Sequence, residues 1–348
     1  MRVTTTQIVR ALEGGSQSAA FTRPVSTPGI TSQGEEMEPG VPKVLSGLLN
    51  LNEIKENCTH YAEMWPSLPP HLLIDCVENI STFPIARTTS SDILKGYIKR
   101  TGVVMKTFRS SATPTRTLLK KFYYEALLLS KIQHPNINPF IGLYITQSQK
   151  IFMISKFMNH GTLPQYLASF PEADRLKLLS GVANAVMYLH NLSAPVLHGD
   201  IRGANVLVND DGLPYLIDLG YSLIMDISNS SFFPLDNILG GSPRWTSGEK
   251  LRSGEFPLTL KADIYSFACL CVEVFSGEVP FKHLNEGAVI VEVLIRHKHP
   301  PRPEGPGTLQ LSDALWDMIE SCFARDPTAR PSMNCVHNFI ESASTNGP

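Results

Sequence analysis

The chain has 348 residues, 43% of them hydrophobic and 18% charged, enough apolar material for one large domain or two modest ones, and this excludes a disordered polymer. Lys and Arg number 30 against 32 Asp and Glu, a formal net charge of -2, so there is no basic excess and no nucleic-acid partner is expected. No apolar run reaches the roughly 18 uncharged residues of a membrane helix, and no apolar stretch follows Arg2 and Arg10 as a secretory leader requires, so an intracellular, cytoplasmic protein without a membrane span is expected.

Residues 1–42 hold 19 Gly, Ser, Thr or Pro and one aromatic, Phe21, and read as a disordered tail. Leu45, Leu48, Leu49, Ile54 and Tyr61 then predict a helix ended by the proline-rich stretch Trp65 to Pro70. Residues 43–80 are taken as a helical extension that offers a surface to a protein partner. Short strands follow between Ile85 and Phe108, the clearest being Val103-Val104-Met105 after a turn signal at Thr101-Gly102. Thr113-Pro114 predicts the start of a helix in which Leu118, Phe122 and Leu129 recur until His134-Pro135 stops it. Glu125 lies on that same apolar face, where a carboxylate is costly unless paired, and Lys106 is the evident partner. Strands are expected at Phe140 to Ile145 and Ile151 to Ser155, and helices near 161–169, 172–191, 260–276, 284–297, 311–323 and 332–342. The six cysteines show no Cys-x-x-Cys spacing and read as buried free thiols.

The irregular stretch 194–250 is too long for an ordinary connection and is expected to carry function. It holds His198-Gly199-Asp200-Ile201-Arg202-Gly203-Ala204-Asn205, a short apolar run, a turn at Asn209 to Gly212, and Leu216-Ile217-Asp218-Leu219-Gly220. A hairpin can bring Asp200, Asn205 and Asp218 together, which supplies hard oxygen ligands for a magnesium ion and a further carboxylate to accept a proton.

Taken together, these motifs resemble a protein kinase of the tyrosine-kinase-like Ser/Thr group. The resemblance implies an α+β, two-lobed fold over residues 81–343, with a small antiparallel sheet lobe carrying one main helix (81–157) and a larger, mostly helical lobe (158–343). It implies ATP and Mg2+ as cofactors and protein Ser/Thr hydroxyls, with Tyr as the alternative, as acceptors in intracellular signalling. By the same resemblance Asp200 is the catalytic base, Asn205 and Asp218 hold magnesium, Arg202 steadies the γ-phosphate, and Lys106, paired with Glu125, holds the α/β-phosphates. Ile85, Ile93 and Val104 meet the nucleotide from one side and Leu207 from the other, with the Lys156 carbonyl and Met158 amide at the adenine. Ser242 to Glu249 resembles the end of an activation segment whose Glu249 pairs with Arg330, and Asp263 resembles the residue that braces the catalytic loop.

Three departures, at the loop glycines, at Val104 and at Ser247-Gly248 in place of the usual Ala-Pro, keep a second reading open. Ala86, Thr88 and Ser91 stand where the family has its loop glycines, so amides approach phosphates less readily. Val104 replaces a smaller residue over the adenine. Gly199 replaces the arginine that grips a phosphorylated activation segment in many kinases, so control through Tyr221, Ser228, Ser230 or Ser231 is not expected. The second reading is a pseudokinase scaffold or binding module with little or no phosphotransfer.

Overall fold

Burial at every second residue, at Leu94 and Gly96 and at Val103, Met105 and Thr107, marks a two-stranded ladder with one buried face. In the computed structural model, which describes residues 49–64, 69–88, 91–109, 115–226, 231–233, 242–252 and 258–345, strands β1 (Ala86–Arg87), β2 (Ser91–Ile98), β3 (Thr101–Phe108), β4 (Phe140–Ile145) and β5 (Ile151–Lys156) form one sheet in the order β1-β2-β3-β5-β4. The expected tail, Leu45, Leu48, Trp65, Thr113, Pro114, Ser228 and Ser230 lie outside the described residues.

The turn between β2 and β3 is not at Thr101-Gly102, as the glycine suggests. Gly102 is already paired with Tyr97 in the ladder, and the reversal falls on Lys99 (φ 46°) and Arg100 (φ 76°). Register explains the shift: only a turn there puts Leu94 of β2 and Val103 and Met105 of β3 on one face, where they join Val77, Phe152 and Ile154 in an apolar core. Residues of the expected extension belong to this sheet unit, because Val77 is in its core, Glu78 pairs with Tyr97, and Ile74 donates to the Leu143 carbonyl at 2.8 Å.

The second unit is helical. Helix α1 (Leu51–Glu63) starts later than the apolar spacing suggests, because Asn50 caps it, its side chain accepting from the amides of Asn52 and Glu53. Helix α2 (Arg116–Ser130) is likewise capped by Thr115, which accepts from Leu118 at 3.3 Å. The sequence places α2 in the small lobe, yet by its contacts it groups with this unit. The reason is α1, whose buried face of Ile54, Cys58 and Ala62 packs on α2, with the Tyr61 and Tyr123 rings 5.8 Å apart and Lys131 bonded to Glu53 at 3.0 Å. The buried face of α1 is therefore occupied within the chain.

Helices α3 (Leu163–Ser169), α4 (Arg175–His190), α5 (Gly248–Leu251), α6 (Lys261–Ser276), α7 (Glu286–Leu294), α8 (Asp313–Ser321) and α9 (Met333–Thr345) follow, close to the spans their apolar periodicity predicts except for the four-residue α5, which carries no periodic signal. Helix α6 is buried at every residue from Ala262 to Phe275, the carboxylates Asp263 and Glu273 included. Between α4 and α5 lie strands β6 (Val196–Leu197), β7 (Val206–Val208), β8 (Pro214–Leu216), β9 (Leu223–Asp226) and β10 (Ser231–Phe233). β7 and β8 form a hairpin with Val206 opposite Leu216, and β6, β9 and β10 form a small sheet. Among the described residues no helix is long and apolar enough to cross a membrane.

Candidate active site

β6 and the β7–β8 hairpin hold the two ends of the loop 198–205, and α6 grips its first residues through Asp263. Asp263, with no exposed surface, accepts the His198 amide at 2.7 Å and the Gly199 amide at 2.9 Å, and its Oδ2 also meets His190 Nε2 at 3.0 Å. Burial alone would raise this carboxyl, but the hydrogen bond and charge of His190 lead the groups that outweigh it and hold it below the usual range.

Three donors then aim Asp200, which is 4% exposed. Its Oδ2 accepts from Asn205 Nδ2 at 2.7 Å and Arg202 Nε at 3.1 Å, and its Oδ1 from the Ser242 amide at 3.2 Å. Asn205 spends its amide nitrogen on Asp200, since the same Nδ2 also reaches the Asp200 carbonyl at 2.8 Å, so its oxygen is the end left for a cation. Asp218 caps the turn 219–221 from a left-handed backbone (φ 64°), a conformation Asp tolerates better than most residues, with Oδ1 accepting from Gly220 at 3.4 Å. A carboxylate and an amide oxygen are the hard donors that magnesium takes, so the residues fit the ion the sequence implies.

Glu125 is 6% exposed, as its place on the apolar face of α2 demands, and its carboxylate lies at this same turn: a Cβ added to Gly220 would stand 3.2 Å from its Oε2. Leu207 is half-buried on β7 and Met158 is buried.

A second buried carboxylate, which sequence reasoning did not single out, ties the loop to the activation-segment end. Glu273 Oε2 accepts the Gly203 amide at 2.8 Å and the Trp245 indole at 2.9 Å, and a side chain on Gly203 would lie 2.7 Å from Glu273 Oε1. Burial pushes the Glu273 carboxyl up to about 7, against the Gly203 amide, the Trp245 indole and the Arg202 charge. A carboxyl that binds its proton more tightly folded than unfolded lowers stability as pH rises from its ordinary value of 4.5 to about 7. Replacing Glu273 by Gln removes this loss, so the variant gains on the wild type by up to about 3 kcal/mol between pH 4 and pH 8 in urea unfolding; parallel stability curves would contradict it.

Within the sheet unit three of the predicted nucleotide-site residues, Ile93, Val104 and Lys106, share one face. Val104 is paired with Lys95 and with Ser155, and Ile93 with Lys106, all on the side opposite the Leu94, Val103 and Met105 core. Ile85 donates to the Ile93 carbonyl at 2.8 Å, and Lys156 is exposed at the end of β5. The tip where the family has glycines is closed on itself: the Thr88 amide bonds the Ser91 carbonyl at 2.9 Å and the Ser91 amide bonds Thr88 Oγ1 at 3.0 Å.

The activation-segment end is fixed as the motif order implies. Arg330, 3% exposed, donates to both oxygens of Glu249, at 2.6 and 2.9 Å, and to the carbonyls of Lys261 and Ala324.

A five-stranded antiparallel sheet unit, a helical unit, and a carboxylate and amide braced on a buried central helix define a protein kinase fold. The chain belongs to the protein tyrosine and serine/threonine kinase family, whose family model matches residues 84–340. It is 28% identical over 235 residues to the serine/threonine-protein kinase CTR1 of Arabidopsis thaliana, covering 65% of this chain and 27% of that protein. The human serine/threonine-protein kinase TNNI3K is 26% identical over 241 residues (67% and 28%), and mitogen-activated protein kinase kinase kinase 5 of Arabidopsis thaliana 28% over 236 residues (65% and 31%). The chain thus spans under a third of the length of these relatives.

Proposed function

We propose that the chain is an ATP-dependent protein kinase that transfers the γ-phosphoryl group to protein Ser/Thr hydroxyls, with its kinase domain over residues 81–343. The observation that carries this is Asp200, buried and aimed by Asn205, Arg202 and the Ser242 amide. Asp200 accepts the acceptor hydroxyl's proton as the new P–O bond forms. Arg202, held beside it, presents a permanent cation to the transferring phosphoryl group. Asn205 and Asp218 hold magnesium, which when bound neutralises charge on the nucleotide phosphates. Lys106 acts on the α/β-phosphates as a cation with Glu125 as its counter-charge, Ile85, Ile93, Val104 and Lys156 of the sheet unit and Met158 and Leu207 of the second unit serve the nucleotide base, and the protein works inside the cell.

The closed Thr88–Ser91 tip favours a second reading, a pseudokinase module, because two amides that a glycine loop would turn to phosphate are already bonded. Thermal unfolding with Mg-ATP separates nucleotide binding from its absence. At about 100 times its dissociation constant the ligand stabilises by ~2.7 kcal/mol, a rise of roughly 5 to 10 °C. No rise at millimolar Mg-ATP favours the pseudokinase.

A further inference from the structure

Among the described residues Lys250 is, with Arg330, one of two buried Lys or Arg side chains: it is 5% exposed, on the short helix α5 beside Glu249. A lysine loses strong hydration on burial, and burial pulls this ammonium below its usual range, opposed by the carboxylates of Asp263 and Asp200. Neither carboxylate bonds it directly among the described residues. Its acceptor is the Gly199 carbonyl.

That carbonyl belongs to the peptide that carries the Asp200 amide, and the amide end meets His198 Nδ1 at 3.3 Å. The preceding peptide is held through the Gly199 amide by Asp263 at 2.9 Å. The two peptide units entering Asp200 are thus gripped by Asp263 on one side and Lys250 on the other. Gly199 makes the grip workable. Its backbone is left-handed (φ 79°), and a Cβ there would stand 2.7 Å from the Tyr221 carbonyl and 3.3 Å from Lys250 Nζ, so a side chain would both strain the loop and crowd the ammonium. The other end of this lever is rigid, since the neighbouring Glu249 is fixed by two hydrogen bonds to Arg330.

We propose that Lys250 is a positioning residue for Asp200, orienting the Gly199–Asp200 peptide from α5, and that the side-chain-free position 199 exists to admit its ammonium. The proposal rests on the reading of Asp200 as the catalytic carboxylate for its kinetic consequence, but not for its structural one.

The test compares Lys250→Met, Lys250→Gln and Lys250→Arg in the full chain, by hydrogen exchange without nucleotide and by steady-state phosphotransfer. With the grip lost in Lys250→Met, amides of the 198–205 loop exchange roughly tenfold faster while those of α8 do not change. In the same variant kcat falls about 10- to 100-fold, with KM for Mg-ATP within about threefold of wild type, because a displaced base costs rate and not nucleotide binding. Thermal stability changes little, since the desolvation relieved by removing a buried cation offsets the donor lost to the Gly199 carbonyl. Lys250→Arg recovers part of both losses, and Lys250→Gln, which keeps an N–H donor without the charge, falls between and stands in if the Met variant fails to fold. Unchanged loop exchange and unchanged kcat in folded Lys250→Met or Lys250→Gln would overturn the proposal. If the wild type transfers no phosphate, the kinase reading fails while the exchange measurement still decides the role of Lys250.

Discussion

Asp200→Asn is expected to abolish measurable phosphotransfer, with a fall of about 10²- to 10⁴-fold, while Mg-ATP still raises the melting temperature as it does in the wild type. The asparagine keeps the size of the side chain and one oxygen to accept from its neighbours, but it cannot take the acceptor's proton. Asp200 is also not one of the two residues assigned to magnesium, so nucleotide binding is left with its own ligands. Some stability is lost as well, because Arg202, Asn205 and the Ser242 amide all donate to the two carboxylate oxygens and one of them must now face an NH2 group. Initial rates on a generic protein substrate, measured beside a melting curve with and without Mg-ATP, distinguish a lost proton acceptor from a lost fold.

The largest effect on stability is expected at Arg330. Replacing it by Met leaves Glu249, which is 8% exposed, as a buried carboxylate without its cation, and orphans the carbonyls of Lys261 and Ala324. Breaking a buried pair by removing one partner costs about 3–5 kcal/mol, so the melting temperature should drop by roughly 10 °C or more. The double variant Glu249→Gln with Arg330→Met should recover over half of that loss, because the uncompensated charge is gone. Equal melting of the single variant and the wild type, followed by circular dichroism, would show that the pair contributes nothing.

The chemistry-bearing residues are legible in the sequence because they are local. His198 to Asn205 and Asp218 to Gly220 are joined by one short hairpin, so order and spacing alone bring Asp200, Asn205 and Asp218 into one region. Glu125 is legible for another reason: a carboxylate at helical spacing among Leu118, Phe122 and Leu129 has to be accommodated inside the protein, and it is. What stays hidden is held by contacts distant along the chain. Glu273 looks like a polar interruption of an apolar helix until Gly203 and Trp245, 70 and 28 residues away, are found bonded to it. Lys250 sits in a four-residue helix with no periodicity, and only Gly199, 51 residues earlier, reveals its use. The helix starts at Asn50 and Thr115 are hard to read for a smaller reason: apolar spacing marks the buried face of a helix, whereas capping oxygens mark its end. Glycine misled once, at Gly102, where the need to keep one face of the β2–β3 ladder apolar outweighed the turn preference of a single residue.

The central claim is that Asp200 and its neighbours transfer phosphate. The most direct measurement is label incorporation into protein, including the chain itself, from Mg-[γ-32P]ATP by wild type and Asp200→Asn at equal concentration. The account predicts incorporation by the wild type that is lost in the variant. Incorporation that is equal in both, or absent from a wild type shown by its melting curve to bind Mg-ATP, would contradict it.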